Sequence, residues 1–210
     1  LAGALAAAKL HIPVAHVEAG LRSFNRRMPE EINRVVADHL STLLFCPSQV
    51  AVDNLAAEGI PSPLTPNTSH LTPNVLITGD VMADALQFTA GKVAINSDIL
   101  HRLGLKPLHY LLATIHRAEN TDNPERLENI MSALSKLATS EPVVLPLHPR
   151  TKKILGENYI SLLTSNSSLK IIEPVGYFDI IALAQSSRLI LTDSGGMQKE
   201  AYWLKVPCVT

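Results

Sequence analysis

The segment LILTDSGGMQKEA, residues 189–201, leads from an apolar run into a helix-like pattern through a Ser-Gly-Gly turn. Gly195 and Gly196 have no side chain, so a ligand can approach their backbone closely. The free N–H groups and the positive dipole of the following helix favour an anion, and Ser194 adds a hydroxyl donor. Glu200, one turn into that helix, can accept both hydroxyls of a ribose. An ordinary tight turn with a solvated glutamate fits the same spacing.

Two histidines follow other apolar runs of the chain. His116 and Arg117 in LLATIHRAEN, and His148 in LPLHPR, would leave the carboxyl ends of strands, where open α/β sheets bind ligands. His116 can donate to a phosphate or move a proton near pH 7, and Arg117 matches a pair of phosphate oxygens. The alternative for His116 is a helix-capping loop with a solvated histidine, and a single histidine at a position like that of His148 is more often structural than catalytic. No nearby Asp, Glu or Cys completes a ligand set with the two histidines, so we predict no metal site.

The segment HVEAGLRSFNRRMPEEINR, residues 16–34, contains carboxylates that could act as an acid and a base. Glu18 follows a strand-like run, and Glu30 opens a helix-like run. Four arginines in the segment could balance them: Arg22, Arg26, Arg27 and Arg34. The neighbouring Glu31 has a simpler explanation, because the helix dipole favours acids in the first turn. That explanation stays open for Glu30 as well.

The elements that must position these residues alternate between strand-like and helix-like runs. Such alternation predicts parallel sheets with helices on both faces. The strand-like runs are residues 12–19, 42–48, 74–80, 109–117, 142–150, 168–176 and 187–196. The helix-like runs are residues 1–10, 30–40, 48–60, 82–94, 123–138, 177–187 and 197–205. Residues 61–74 contain four prolines and read as a loop. A domain boundary is expected at about 80–105.

Composition excludes several classes of protein. With 18 basic and 19 acidic residues the net charge is −1, which gives no electrostatic footprint for nucleic acid and no basic run for a membrane surface. No apolar run reaches the ~18 residues of a membrane span. The opening LAGALAAAKL reads as a surface helix rather than a signal peptide, because a strand-like run follows it directly. Cys46 and Cys208 lie in apolar stretches and are expected to be buried thiols rather than a disulfide.

Taken together, these segments resemble the non-hydrolysing UDP-N-acetylglucosamine 2-epimerases, and the likeness covers essentially the whole chain. It rests on the following segments in this order: HVEAGLRS, MPEEINR, FCPS, TGDVMADAL, IHRAEN, LPLHP and LTDSGGMQKEA. The resemblance implies an α/β fold of the glycosyltransferase-B type, with two doubly wound parallel-sheet domains facing a cleft. Residues 1–90 would be the remainder of the N-terminal domain and residues 91–210 an incomplete UDP-binding domain, with the chain truncated at both ends.

The resemblance also implies a reaction. UDP-N-acetylglucosamine would lose its C2 proton and UDP to give 2-acetamidoglucal, and re-addition of UDP with protonation of the other face would give UDP-N-acetylmannosamine. No cofactor and no metal is needed. The only partners implied are the UDP-sugar and a second copy in a homodimer, without nucleic acid or membrane, and the expected location is the cytoplasm.

The site residues carry over from the family motifs one by one. The implied catalytic residues are Glu18, Glu30 and His116. The implied substrate-binding residues are Arg117, His148, Val175, Ile180, Ser194, Gly195, Gly196 and Glu200. At the position of Ile180 the family often has Phe, so this chain argues against aromatic stacking on the base.

Three alternatives to the epimerase remain. A retaining glycosyltransferase of the same architecture would also bind UDP, but the DSGG helix lacks a pair of glutamates separated by seven residues. A hydrolysing 2-epimerase would release free N-acetylmannosamine. A catalytically silent binding module would need Ser194 and Glu200 but neither Glu18 nor Glu30.

Overall fold

The computed structural model describes residues 1–60, 73–156, 160 and 168–210. Contacts divide the chain into two compact units, unit 1 (Leu1–Asp84) and unit 2 (Ala85–Thr210). The proline-rich segment read as a loop lies, up to residue 72, outside the described residues.

Unit 1 contains a three-stranded parallel sheet with the strand order β1-β2-β3. Its strands are β1 Ala15–Val17, β2 Leu43–Cys46 and β3 Asn74–Ile77, and its helices are α1 Ala2–Lys9, α2 Pro29–Leu40 and α3 Gln49–Ala57. Helix α3 begins where predicted, because the Ser48 hydroxyl accepts a hydrogen bond from the Ala51 N–H at 3.4 Å. Leu44, Val52 and Leu55 belong to the unit's buried apolar cluster.

Unit 2 contains a five-stranded parallel sheet with the order β6-β5-β4-β7-β8. Its strands are β4 Leu111–Thr114, β5 Val143–Pro146, β6 Leu169–Ile172, β7 Leu189–Thr192 and β8 Cys208–Val209. Helix α4 Val81–Ala90 runs across the boundary between the units. The helices that follow are α5 Val93–Asn96, α6 Ile99–Leu103, α7 Ala118–Thr121, α8 Pro124–Ala138, α9 Pro149–Leu155, α10 Tyr177–Ser186 and α11 Gly195–Leu204.

The sheet of unit 2 has an apolar core on each face. Side chains alternate along β4, so that Leu112 belongs to one buried cluster while Leu111 and Ala113 belong to the other. The strand order reverses at β4. Strands β5 and β6 lie on one side of β4, and the chain then returns so that β7 pairs with the other side of β4. This is the doubly wound arrangement that the alternation predicts. The three strands of unit 1 follow chain order, so the described part of that unit shows a parallel sheet without the reversal.

Several elements differ from the sequence prediction. Three short helices, α6, α7 and α9, were not predicted, and α9 begins at Pro149 within a run read as strand. Proline is favoured at the first helical position because its missing N–H needs no partner there. Helix α11 begins at Gly195 rather than at residue 197, so the two glycines belong to its first turn.

The two cysteines of the chain both lie within the described residues. Cys46 is buried, Cys208 is partly buried, and both are free thiols. Burial raises the pKa of the Cys46 thiol to about 11. Among the helices that the structure describes, none is long and apolar enough to cross a membrane.

Candidate active site

The candidate site of unit 2 lies where the strand order reverses. Strands β4 and β7 are neighbours there, and the hydroxyls of Thr114 and Thr192 at their carboxyl ends are 2.6 Å apart. The loop after β4 carries His116 and Arg117, and the loop after β7 carries Ser194. Open α/β sheets bind ligands at this kind of crevice, outside the carboxyl ends of the strands.

Asp193, which was not singled out from the sequence, joins these two loops. Its carboxylate accepts hydrogen bonds from the backbone N–H groups of His116 (3.1 and 3.2 Å) and Arg117 (3.0 Å) and from Asn120 Nδ2 (3.0 Å). One oxygen also lies 3.1 Å from His116 Nδ1. The only sequence signal was a polar residue directly after a buried strand, whereas its partners are more than 70 residues away.

The start of helix α11 has N–H groups that the helix itself cannot pair. The Met197 N–H donates to Ser194 Oγ at 3.3 Å, which leaves the hydroxyl hydrogen of Ser194 to donate elsewhere. The N–H groups of Gly195 and Gly196 come before the first intrahelical bond. A Cβ on Gly195 would lie 3.9 Å from Arg117 Nη2, so this arginine lies beside the start of the helix.

Glu200 is buried in the second turn of α11, with 6% of its surface exposed. Its Oε1 accepts a hydrogen bond of 2.9 Å from the hydroxyl of Tyr177 on α10. Burial raises the pKa of Glu200, and the hydrogen bond from Tyr177 opposes that shift. Burial and the Glu200 carboxylate together raise the pKa of Tyr177 to about 12. A buried carboxylate with one hydroxyl donor keeps acceptor capacity for a ligand.

Two adjoining cavities gather most of the residues predicted for this unit. The first, of about 370 Å³, is lined by Thr114, His116, His148, Ser194, Gly196, Met197 and Glu200. The second, of about 200 Å³, shares Thr114, His116 and His148 with the first and includes Val175 and Ile180. The His116 and His148 ring centroids are 6.2 Å apart and the rings are tilted by 39°. His116 and His148, which are 32 positions apart in the chain, thus border the same cavities.

The two remaining candidates, Glu18 and Glu30, belong to unit 1. Glu18 directly follows β1, is half-buried, and has a φ of +64°. Such a left-handed backbone conformation costs an L-residue with a side chain about 1–2 kcal/mol. Glu30 is exposed in the first turn of α2, directly after Pro29.

Glu31 has a more specific role than the helix dipole predicts. It is 3% exposed, and its carboxylate accepts hydrogen bonds from the backbone N–H groups of Ser23 (3.0 and 3.1 Å) and Phe24 (2.8 Å). Burial acts to raise the pKa of Glu31, but these hydrogen bonds outweigh it and hold the pKa below its ordinary value. Glu31 therefore ties the loop that precedes α2 to the helix.

Arg22 has acidic partners that could not be predicted from the sequence. Its side chain is 1% exposed and donates to Glu58 through Nε (2.6 Å) and Nη2 (2.7 Å) and to Asp38 through Nη1 (2.7 Å). The hydrogen bond from Arg22 is the main reason that the pKa of Glu58 is lowered. The expectation that Arg22 balances Glu18 or Glu30 thus gives way to a pairing with these two acids.

Metal ligation finds no support in the part of the chain that the structure describes. It contains no group of three or more His, Cys, Asp or Glu side chains placed to hold a metal ion.

Comparison with known proteins identifies relatives over the whole chain. The chain is 48% identical over 211 residues to a UDP-2,3-diacetamido-2,3-dideoxy-D-glucuronate 2-epimerase of Pseudomonas aeruginosa. This alignment covers 100% of the chain and 54% of that protein. The chain is also 46% identical over 215 residues to a UDP-N-acetylglucosamine 2-epimerase of Methanocaldococcus jannaschii, in an alignment that covers 100% of the chain and 56% of that protein. The chain thus spans about half the length of the curated relatives it matches.

A solved structure supports the same relationship. The crystal structure of the Methanocaldococcus jannaschii UDP-GlcNAc 2-epimerase in complex with UDP-GlcNAc and UDP matches with a TM-score of 0.84 at 45% identity, over 99% of this chain and 56% of that one. A family model described as UDP-N-acetylglucosamine 2-epimerase matches residues 1–210. The parallel α/β units are those of the glycosyltransferase-B-like epimerase fold. The chain therefore belongs to the UDP-N-acetylglucosamine 2-epimerase family.

Proposed function

We propose that the full-length protein interconverts UDP-N-acetylglucosamine and UDP-N-acetylmannosamine by inverting C2 of the sugar. The observation that carries the proposal is the cavity at the carboxyl ends of β4 and β7, lined by His116, His148, Ser194 and Glu200. It combines a helix N-terminus, an imidazole and a buried carboxylate, which are groups suited to a diphosphate and a ribose. Family membership supplies the reaction type.

UDP binds to unit 2 in this proposal. The N–H groups of Gly195 and Gly196 and the hydroxyl of Ser194 donate to the diphosphate, because the start of a helix favours negative charge. His116 and Arg117 add donors on the other side of the crevice. In the second cavity His148, Val175 and Ile180 border the space for the uracil, and Glu200 accepts the ribose hydroxyls.

Epimerisation then proceeds by elimination and re-addition. A carboxylate, Glu18 or Glu30, removes the C2 proton, and the C1–O bond to UDP breaks to give 2-acetamidoglucal. The donors at the diphosphate stabilise the negative charge of the departing UDP. Among these donors, His116 is the one whose side chain could also transfer a proton. UDP adds back to C1 while a proton reaches the opposite face of C2, so atoms and charges balance without an oxidant or reductant.

A second substrate has a specific observation in its favour. The relative that is 48% identical is named for UDP-2,3-diacetamido-2,3-dideoxy-D-glucuronate, which also carries UDP and a 2-acetamido group. The same elimination at C1 and C2 applies to it. Both UDP-sugars therefore belong in the activity assay at equal concentration, and the larger kcat/KM identifies the substrate.

The reaction is tested by turnover in heavy water. We expect solvent deuterium at C2 of the recovered UDP-sugar, because a proton held on a carboxylate exchanges with water before another returns. We also expect one equilibrium mixture of the two epimers from either side. Mass spectrometry and proton NMR of the UDP-sugars measure both quantities.

The other outcomes point to the alternative functions. A glycosyltransferase would consume the UDP-sugar only with an acceptor and would keep protium at C2. A hydrolysing relative would accumulate UDP and free N-acetylmannosamine, and a binding module would leave the UDP-sugar unchanged. An epimer formed without deuterium at C2 would rule out the elimination route.

Ribose recognition by Glu200 should depend on pH. Burial raises the pKa of Glu200 above its ordinary value of 4.5, so the ionised acceptor is lost as pH falls through a value higher than 4.5. We expect UDP to bind about 10-fold more tightly than 2′,3′-dideoxy-UDP at pH 8, because a hydrogen bond to a charged group contributes roughly 1.5–3 kcal/mol. The advantage should shrink as the pH approaches that raised pKa.

Calorimetry measures the affinity ratio of the two nucleotides between about pH 5 and 8, the range in which proteins are usually most stable. The ratio isolates the contribution of Glu200 because both nucleotides carry the same diphosphate. Glu200→Gln should make the ratio independent of pH. Tyr177→Phe removes the hydrogen bond that lowers the pKa of Glu200, so the midpoint should move to higher pH. A ratio of one at every pH in the unchanged protein would remove Glu200 from ribose binding.

A further inference from the structure

One buried carboxylate in unit 1 fixes the chain on both sides of Glu18. Asp38 on α2 is fully buried and accepts three hydrogen bonds from the segment HVEAGLR. They come from His16 Nδ1 (2.6 Å), the Gly20 N–H (3.1 Å) and Arg22 Nη1 (2.7 Å). The first donor precedes Glu18 by two residues and the others follow it by two and four. We call these three hydrogen bonds the Asp38 clamp.

Glu18 has a backbone conformation that its residue type disfavours. Its φ of +64° lies in the left-handed region, where a side chain crowds the following carbonyl. Residues persist there only when the surrounding structure over-determines them. The adjacent Ala19 N–H donates to the Phe45 carbonyl at 3.0 Å, so the backbone beyond Glu18 is tied to β2 as well.

Two residues of the Asp38 clamp, Arg22 and Gly20, have further hydrogen bonds to the region of α3. Arg22 reaches Asp38 while its other two nitrogens donate to Glu58, which follows α3. Asn54 Nδ2 on α3 donates to the Gly20 carbonyl at 3.0 Å. Beyond Glu18 the chain is thus attached to α2 and α3, and before Glu18 it is attached to α2 through His16 in β1. None of these hydrogen bonds uses the Glu18 carboxylate.

We propose that Asp38 is a positioning residue that holds Glu18 in its left-handed conformation and so aims the Glu18 carboxylate. The proposal rests on the proposed catalytic role of Glu18 for its functional part. Its structural part is independent of that role, because it concerns only the backbone at residue 18. The two parts are therefore tested by different measurements.

The structural test compares two substitutions of Glu18, each with and without Asp38→Asn. Glu18→Gly relieves the left-handed conformation and Glu18→Ala retains its cost, while both remove the carboxylate. With Asp38 intact, we expect the Glu18→Gly protein to melt about 2 °C or more above the Glu18→Ala protein. With Asp38→Asn, residue 18 can leave the left-handed region, and the difference should vanish or reverse because glycine costs more entropy in an ordinary conformation.

A purely structural Asp38 gives a different result. If Asp38→Asn lowers the melting temperature of both Glu18 variants equally, the clamp does not hold residue 18 and the proposal is overturned. Should Asp38→Asn fail to fold, His16→Ala removes one arm of the clamp, and we expect it to reduce the same difference. An unchanged difference in that series would equally overturn the proposal.

The functional test measures steady-state rates of the full-length protein. Asp38→Asn should lower kcat by about 10-fold or more with KM changed by less than about 3-fold, since a misplaced catalytic group affects the transition state more than substrate binding. A rise in KM with kcat unchanged would contradict the positioning role. If Glu18→Gln itself keeps normal turnover, the catalytic role of Glu18 is wrong, while the melting comparison still decides whether the clamp exists.

Discussion

Replacing Glu18 by Gln is expected to lower turnover of the UDP-sugar by about two orders of magnitude or more, the scale of lost general acid–base catalysis. The amide keeps the size of the side chain but cannot take a proton. UDP should still bind, because the groups proposed for it lie in unit 2. Steady-state rates and calorimetry with UDP measure the two effects. Near-normal turnover would remove Glu18 from the mechanism.

Glu30→Gln is expected to cause a loss of the same order, and the chain contains a matched control for it. Glu30 follows Pro29 in the first turn of α2, and Glu125 follows Pro124 in the first turn of α8. Both glutamates are exposed, so each substitution removes a similar interaction with the helix dipole. Glu125→Gln should leave turnover unchanged. Equal losses for the two variants would assign Glu30 to helix stability rather than to catalysis.

The second large effect is expected at Gly20. A Cβ at this position would lie 2.2 Å from the Ala51 carbonyl oxygen and 2.7 Å from its carbon, in the first turn of α3. The φ of Gly20 is +75°, so a side chain would also be strained. Because the clash is with backbone, α3 would have to move. We expect Gly20→Ala to lower the free energy of unfolding by about 3 kcal/mol or more.

Gly59→Ala is the control for Gly20→Ala. Gly59 has a similar φ of +85°, but a Cβ there would meet no atom within 4 Å. Only the conformational cost applies, and we expect a loss of about 1 kcal/mol. Urea denaturation of both variants gives the two free energies. Equal losses would show that the close approach of Gly20 to α3 contributes nothing beyond the backbone angle.

Much of the fold was predictable because its signals are local in the chain. Apolar runs marked the strands, Ser48 marked the start of α3, and Pro124 marked the start of α8, since each acts on backbone groups within a few residues. The short helices α7 and α9 were not predicted because they lack such a local signal. Each has too few residues to show a helical period.

The candidate ligand residues of unit 2 were also found from local signals. His116, His148 and Ser194 each follow a strand, and in a parallel sheet the carboxyl ends lie along one edge. The prediction that these residues share a site needed only that rule and the family motifs. Their assigned roles in catalysis and binding remain predictions, as does the homodimer.

By itself the sequence determined the strands, the longer helices, the parallel α/β class and which residues stand at strand ends, because these depend on spacing along the chain. Only the tertiary structure decided that β4 pairs with β7, which brings His116 beside Ser194. It also decided that Asp193 joins those two loops and that Asp38 clamps the segment around Glu18. A buried carboxylate must find its donors wherever the fold places them, so its partners lie far away in the chain and leave no local pattern.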